Sequence, residues 1–449
     1  MVFFYNLAFL LFGLAYLPIF LVKIRQADSP HRLVRERLGI FPTSWRQKLL
    51  GKQIVWVHAV SVGEVMAVQK LLIKLTECFT GYHFVLTTVT PTGQRIARQL
   101  EGEKISVCYF PFDLTFAVKR FMNVLKPKCL LLVETEIWPN LLTEAAKARI
   151  PIGILNARLS AKSLMRYQAF LSFFKPIFKQ LDFVLAQAPE DAARFASLGV
   201  DPSRVEVCGN MKFDDVPRLS EGNGTSMTLR DEWGFGREDW ILVAGSTHSG
   251  EEDILASVFG DLLPQYPSLK LLLAPRHIER CPQLKHQLEK KGFQVRLATD
   301  ASFGRNAQVL LLNRLGVLKH LYALADAVFM GGSLVRRGGQ NPIEPAYVKR
   351  AVVHGPFVFN FETIYRKLDQ EGGALLIRDQ DQLAFAWKRF LEDTRERSQI
   401  GENAFKIVSN LQGATKRHFE WLSKFLRSQS PMERINDAEF RTKLFSSAR

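Results

Sequence analysis

Ile54-Val55-Trp56-Val57-His58-Ala59-Val60-Ser61-Val62-Gly63-Glu64-Val65 decides the fold of this chain. The run to Val57 is rich in β-branched and aromatic residues, as a buried strand requires. It stops at a small-residue turn, and Val65, Val68, Leu71, Leu72 and Leu75 then recur at helical spacing. Strand, tight turn and helix start follow in order, the opening unit of a parallel α/β sheet. Open sheets of this kind bind ligands in the crevice beyond the carboxyl ends of their strands. Glu64 stands at that edge, in the first turn of a helix and next to a glycine that lets a ligand approach the backbone. A carboxylate there can accept a proton, bind a metal or cap the helix.

Outward from that stretch the rhythm repeats. Strands are expected at 54–60, 83–89, 105–110, 129–134, 151–155, 182–187 and 204–208, with helices between them at 64–78, 93–101 and 114–125. A polar segment without periodicity, 214–228, reads as a linker. The rhythm resumes at 240–245, 269–274, 292–297, 307–312, 326–331 and 351–354, and 382–425 is helical. Two doubly wound domains, 25–216 and 229–425, are therefore expected to face each other across a cleft, with a charged tail at 426–449.

The 449 residues suffice for two cores, with 47% hydrophobic and 23% charged residues. The five cysteines are scattered without a C-x-x-C pair, which argues against a disulfide framework or a zinc cage. A formal charge of +16 calls for an anionic partner. No nucleic-acid-binding signature accompanies it, so an anionic membrane surface or a phosphorylated substrate is the better match. Residues 2–22 carry no charge and, at ~1.5 Å per residue, span roughly 32 Å, the thickness of a bilayer core. Lys23, Arg25, Arg32, Arg35 and Arg37 follow. Segment 1–24 thus reads as a membrane anchor that leaves the rest of the chain cytoplasmic. The alternative is a buried first helix.

Four more strand ends carry polar groups. Glu134 and Glu136 stand two apart in VETEIWPN and would share one side of an extended chain. No His or Asp lies close in sequence to complete a metal set. Gly245-Ser246-Thr247 opens a turn before Glu251 and Glu252 whose N–H groups could hold a phosphate or cap the helix; it lacks the lysine of a Walker loop. Pro275-Arg276 ends another strand, where a guanidinium suits phosphate or a rim ion pair. In 330–346, Gly332 and Ser333 lie in a glycine loop leading to Asn341-Pro342-Ile343-Glu344, fit for close approach of a nucleotide to backbone.

Taken in order, VHAVSVGEV, ETEIWPN, NARLS (156–160), GNMKFD (209–214), GSTHSGEE, APRH and GGSLVRRGGQNPIEPA resemble the 3-deoxy-D-manno-octulosonic acid (Kdo) transferases of lipopolysaccharide assembly. The resemblance implies a GT-B glycosyltransferase that moves Kdo from CMP-Kdo to the lipid A precursor, lipid IVA, with inversion. The reaction would take place at the cytoplasmic face of the inner membrane, with no metal and no cofactor beyond the donor substrate. It implies Glu64 as general base, and Pro275, Arg276 and Asn341 through Glu344 as CMP contacts. A further CMP contact falls on Gly316-Val317-Leu318, where Val317 replaces the family's acid. A backbone contact survives that change and a carboxylate contact does not. Ser61, Gly63, Glu134, Glu136, Arg158, Lys212, Gly245, Ser246, Thr247, Gly332 and Ser333 stand as supporting residues. A GT-B enzyme using a UDP-sugar and a non-catalytic basic membrane-surface protein remain as alternatives.

Overall fold

The computed structural model describes residues 5, 6, 9, 29–214, 223–300 and 307–429. The chain forms two compact units, one of residues up to Asp215 together with those from Gln412 onward, the other Val216–Leu411.

In the first unit, β1 (Gln53–His58), β2 (Tyr82–Thr88), β3 (Ile105–Tyr109), β4 (Cys129–Val133), β5 (Ile152–Ala157), β6 (Phe183–Ala186) and β7 (Val205–Val207) form one sheet. Its order is β3-β2-β1-β4-β5-β6-β7. Every pairing is parallel. Parallel neighbours need crossover connections, and helices supply them on both faces. Ile54 and Trp56 enter one core with Phe121 and Leu132, while Val55 and Val57 enter the other with Val65, Leu72 and Phe84. The strand order reverses between β1 and β4, so the ligand crevice expected for such a sheet lies beyond His58 and Val133.

The second unit repeats the plan with β8 (Trp240–Thr247), β9 (Leu269–Pro275), β10 (Val295–Leu297), β11 (Val309–Leu311), β12 (Ala327–Met330), β13 (Ala351–His354) and β14 (Ala374–Leu376). The order is β10-β11-β9-β8-β12-β13-β14, again parallel throughout. Here the order reverses between β8 and β12.

Three expectations change. The helix Ala414–Gln429 belongs to the first unit, not to a 229–425 domain. Phe419, Leu422 and Leu426 join the core that holds Val65 and Leu72, and the Asp214 carboxylate accepts from the N–H groups of Gly413 at 2.8 Å and Thr415 at 2.5 Å. With Leu426 buried, the charged tail cannot start at 426; residues 430–449 lie outside the described residues. The 214–228 linker is shorter than expected, because a helix starts at Asn223, and 215–222 lie outside the described residues.

The anchor segment 1–24 also lies outside them, apart from Tyr5, Asn6 and Phe9, which are helical. Among the described residues no helix is long and apolar enough to cross a membrane. Tyr5 and Asn6 reach the first unit at the helix Pro139–Lys147, whose N-cap residue Trp138 provides no side-chain cap. Asp113 supplies it from afar, accepting from the N–H groups of Asn140 at 3.1 Å and Leu141 at 2.9 Å and from the Tyr5 hydroxyl at 2.9 Å. Asn6 bonds the side chains of Thr115 and Asn140. Replacing Asp113 with Ala strands those buried donors and is expected to cost about 1–3 kcal/mol, read as a fall in the urea midpoint of the first unit's transition.

Candidate functional site

The turn after β1 is built to hold one carboxylate. Val60 O accepts from the N–H groups of Val89 and Thr90, which fixes the turn against the end of β2. Ser61 is the N-cap residue of the helix Val62–Cys78. Glu64, three residues on, folds back so that one carboxylate oxygen accepts from Val60 N–H at 2.7 Å and the other from the Ser61 hydroxyl at 2.7 Å. Half of a capping box is present, moved one residue back: the glutamate takes the Val60 N–H, while the Ser61 hydroxyl donates to the carboxylate and caps no backbone N–H. Glu64 as a residue is only 6% exposed. Burial raises its pKa above the ordinary value against these two hydrogen bonds; the charge of Glu134 raises it further and that of Lys212 lowers it. The cap and the general base are therefore compatible descriptions of one residue.

The second wall of this site is the turn after β4. Glu134 adopts φ +64, a left-handed conformation costly for a side-chain-bearing residue, held by its N–H donating to Leu155 O at 2.9 Å. That conformation accompanies an ion pair between Glu134 and Lys212. The ammonium of Lys212 lies 3.8 Å from where a Cβ on Gly63 would sit, so the lysine passes beside the helix start. Lys212 is positioned by residues distant in sequence. Asn156, at φ +51, accepts from Met211 N–H at 2.9 Å and donates to the side chain of Asn210 at 3.3 Å. Its own N–H donates to His418 on the last helix at 3.0 Å. Glu136 accepts from the Trp138 indole at 3.0 Å. Burial first, then the charges of Glu64 and Glu134, push its pKa up to about 8. The structure thus brings Ser61, Gly63, Glu64, Glu134, Glu136 and Lys212 together. Arg158 is exposed and acts on Asp191 instead. Among the described residues no group of three or more His, Cys, Asp or Glu is arranged to hold a metal ion.

In the second unit the turn after β8 is shaped by close approaches. A Cβ on Gly245 would meet the Tyr322 hydroxyl at 2.1 Å, and one on Gly331 would meet Ser246 O at 2.3 Å. Ser246 takes φ +55, and Thr247 is buried. N–H groups of both the glycine loop and this turn point inward: Gly332, Ser333 and Leu334 donate to the Glu251 carboxylate at 2.7, 3.0 and 3.0 Å, and His248 N–H joins at 2.9 Å. An anion does occupy this nest, but it is the chain's own. Ser333 is buried, its hydroxyl bonding Met330 O and receiving Gly355 N–H at 2.8 Å.

The free positive charge stands nearby. Arg276 follows Pro275 at the end of β9; its N–H donates to Thr247 O at 2.9 Å, and its exposed side chain makes no ion pair with a described residue. His248 has its pKa lowered by burial and by the charges of Arg337, His277 and Arg276, against the opposing pull of Glu252. Gln340 reaches the His248 ring at 3.4 Å. These groups form a cationic face at the carboxyl ends of β8, β9 and β12, suited to a phosphate. His248, His277, Arg337 and Gln340 were not singled out in the sequence, although the GSTH, APRH and VRRGGQ runs contain them. Asn341 accepts from Ile343 N–H at 3.1 Å and so shapes the start of the helix Ile343–Tyr347. Pro342 and Ile343 are buried, Glu344 is half-buried, and Gly316 and Val317 lie in the surface turn after β11, with Leu318 opening the helix Leu318–Leu321.

Two parallel α/β units with polar sites beyond their strand ends define a protein of the GT-B type. Solved structures of the same architecture include UDP-GlcNAc 2-epimerase from Neisseria meningitidis, at TM-score 0.57 and 14% identity over 83% of this chain and 100% of that one. A glycosyltransferase from Rickettsia africae matches at TM-score 0.55 and 13% identity over 84% and 99%. At those identities the likeness is one of fold. Sequence is more specific. The model of the family described as "3-Deoxy-D-manno-octulosonic-acid transferase (kdotransferase)" matches residues 32–215. The 3-deoxy-D-manno-octulosonic acid transferase of Haemophilus influenzae is 35% identical over 83% of this chain and 87% of that one. That of Bordetella pertussis is 33% identical over the same shares. The chain belongs to the Kdo transferase family and is a glycosyltransferase of lipopolysaccharide biosynthesis.

Proposed function

We propose that this chain transfers Kdo from CMP-Kdo to a hydroxyl of the lipid A precursor, with inversion, and that Glu64 is the general base. The observation that carries the reading is the Glu64 carboxylate, fixed by Val60 and Ser61 at the reversal point of the first sheet, beside the Glu134–Lys212 pair. As the acceptor oxygen bonds to the anomeric carbon, the bond from that carbon to the phosphate oxygen breaks and CMP leaves with the electron pair. The hydroxyl proton passes to Glu64. A base of raised pKa holds that proton better than an ordinary carboxylate. The charge gathering on CMP is met by Arg276, with Arg337 and the imidazoles beside it. Lys212, paired with Glu134, offers a cation next to the reacting groups. Segment 2–22 and the net charge of +16 would hold the enzyme at an anionic membrane face where a lipid acceptor resides.

Mass spectrometry of the product formed from CMP-Kdo and the lipid A precursor tests the reading, and absence of a Kdo adduct overturns it. CMP is expected to protect the protein from thermal unfolding and UDP is not; the reverse would point to a UDP-sugar enzyme. Arg276→Ala should lower kcat/KM for CMP-Kdo roughly 10–100-fold, the value of a charged hydrogen bond, with kcat falling as well as KM rising because the charge it meets grows as CMP leaves.

A further inference from the structure

The group transferred in the proposed reaction is itself an acid, with its carboxylate on the carbon that is attacked. It must therefore come close to Glu64, and Glu64 has two acidic neighbours. The three carboxylates are not equally provided for. Both oxygens of Glu64 are held by the turn, at Val60 N–H and the Ser61 hydroxyl. Glu134 is ion-paired with Lys212. Glu136 has no cation partner among the described residues, and one of its oxygens accepts from the Trp138 indole at 3.0 Å. Trp138 is held in turn by Phe110, ring centroids 5.2 Å apart. Fully ionised, three carboxylates and one ammonium would repel an anionic sugar. A proton on one carboxylate removes much of that repulsion and turns an acceptor into a donor.

We infer that Glu136 enters the reaction as a carboxylic acid, its O–H donating to the carboxylate of the transferred sugar, and that it thereby selects an acid sugar over a neutral one. The indole fixes one oxygen as the acceptor, which leaves the proton to the other. The groups facing Glu136 are Glu64 from the helix Val62–Cys78, Glu134 on its own turn and Tyr167 from the helix Ala161–Ala169, with Lys212 behind Glu134. Burial and the two glutamates hold the acid form up to about pH 8. The inference rests on the proposal that an octulosonic acid is the substrate.

Glu136→Gln is neutral at every pH, keeps the volume and still accepts from the indole. Its NH₂ can donate where the acid's O–H does, so the readout is the pH dependence of its KM for CMP-Kdo and not the value at one pH. Above about pH 8 the wild-type KM should climb, approaching tenfold per pH unit as the acid form is lost, while that of the Gln enzyme stays flat. Glu136→Ala should raise KM at all pH values and change kcat less. A Gln enzyme with kcat reduced about a hundredfold at neutral pH and an unchanged pH profile would overturn the inference, because the carboxylate would then be the working form. A second readout does not need turnover. A carboxyl with a folded pKa above its unfolded one contributes stability at low pH that is lost as pH rises through the folded value. The Gln variant should therefore gain urea midpoint over wild type as pH rises from about 4.5 to about 8 and keep that gain above it, and parallel midpoints between those two values would refute the acid form. If wild type gives no Kdo product yet the midpoints diverge, the failure lies with the substrate and the acid form of Glu136 stands.

Discussion

Glu64→Gln is expected to lower kcat for Kdo transfer by about 10²–10⁴-fold, the contribution of a positioned general base, with the KM for CMP-Kdo little changed. The amide keeps the shape of the carboxylate, and its oxygen can still accept from Val60 N–H. The Ser61 hydroxyl can turn to accept from the new NH₂, so both bonds of the turn have replacements. What the amide cannot do is take a proton as the acceptor oxygen bonds to carbon. The pH dependence separates this from a loss of structure. Burial holds the Glu64 pKa above its ordinary value, so the wild-type rate should fall with acidification at a higher pH than an ordinary glutamate would give, as the base becomes protonated. The residual rate of the Gln enzyme should lack that limb. Steady-state product formation across pH checks both points. A Gln enzyme with wild-type kcat, or with the same acid limb, would leave Glu64 as a helix cap alone.

Much of this site was legible because strand ends are legible. The run Ile54–Val57 gives way to a small-residue turn, Val133 is followed by Glu134 and Ala274 by Pro275-Arg276, and in a parallel sheet such stops face the ligand crevice. Glu64, Glu134 and Arg276 were found in that way. What stayed hidden depends on partners far apart in sequence. Nothing local to Lys212 says that Asn156 and His418 set its place, and the helix that carries His418 reads as amphipathic without saying which unit covers its apolar face. Short β14 escaped notice because three residues after a Gly-Gly pair carry too little pattern. The Gly245-Ser246-Thr247 turn and the glycine loop read as open to phosphate and nucleotide because a glutamate in the first turn of a helix is commonplace. Only the fold shows that Glu251 turns back into the loop from some eighty residues earlier.

That use of Glu251 makes it the most exacting position in the second unit. Four backbone N–H groups, of His248, Gly332, Ser333 and Leu334, converge on its carboxylate, and its side chain is fully buried. The bonds join the turn after β8 to the turn after β12 across the point where the strand order reverses, and the cationic face of Arg276, His248 and Arg337 is assembled on those two turns and the end of β9. Glu251→Ala removes the acceptor and leaves donors in a pocket closed by Gly331 and Gly355 against backbone. Each donor that stays dry costs about 1–3 kcal/mol, so the variant should lose at least about 3 kcal/mol even if water recovers some of them. Hydrogen exchange at 332–334 should accelerate most within the unit, and protection by CMP against unfolding should vanish before the unit itself melts. Glu251→Gln should fall between the two, because its amide oxygen keeps part of the acceptor set while its NH₂ opposes N–H donors. Unaltered exchange at 332–334 in Glu251→Ala would show that the loop holds its shape without the carboxylate. The nest would then be open to an external anion, and the phosphate cradle read from the glycines would be restored.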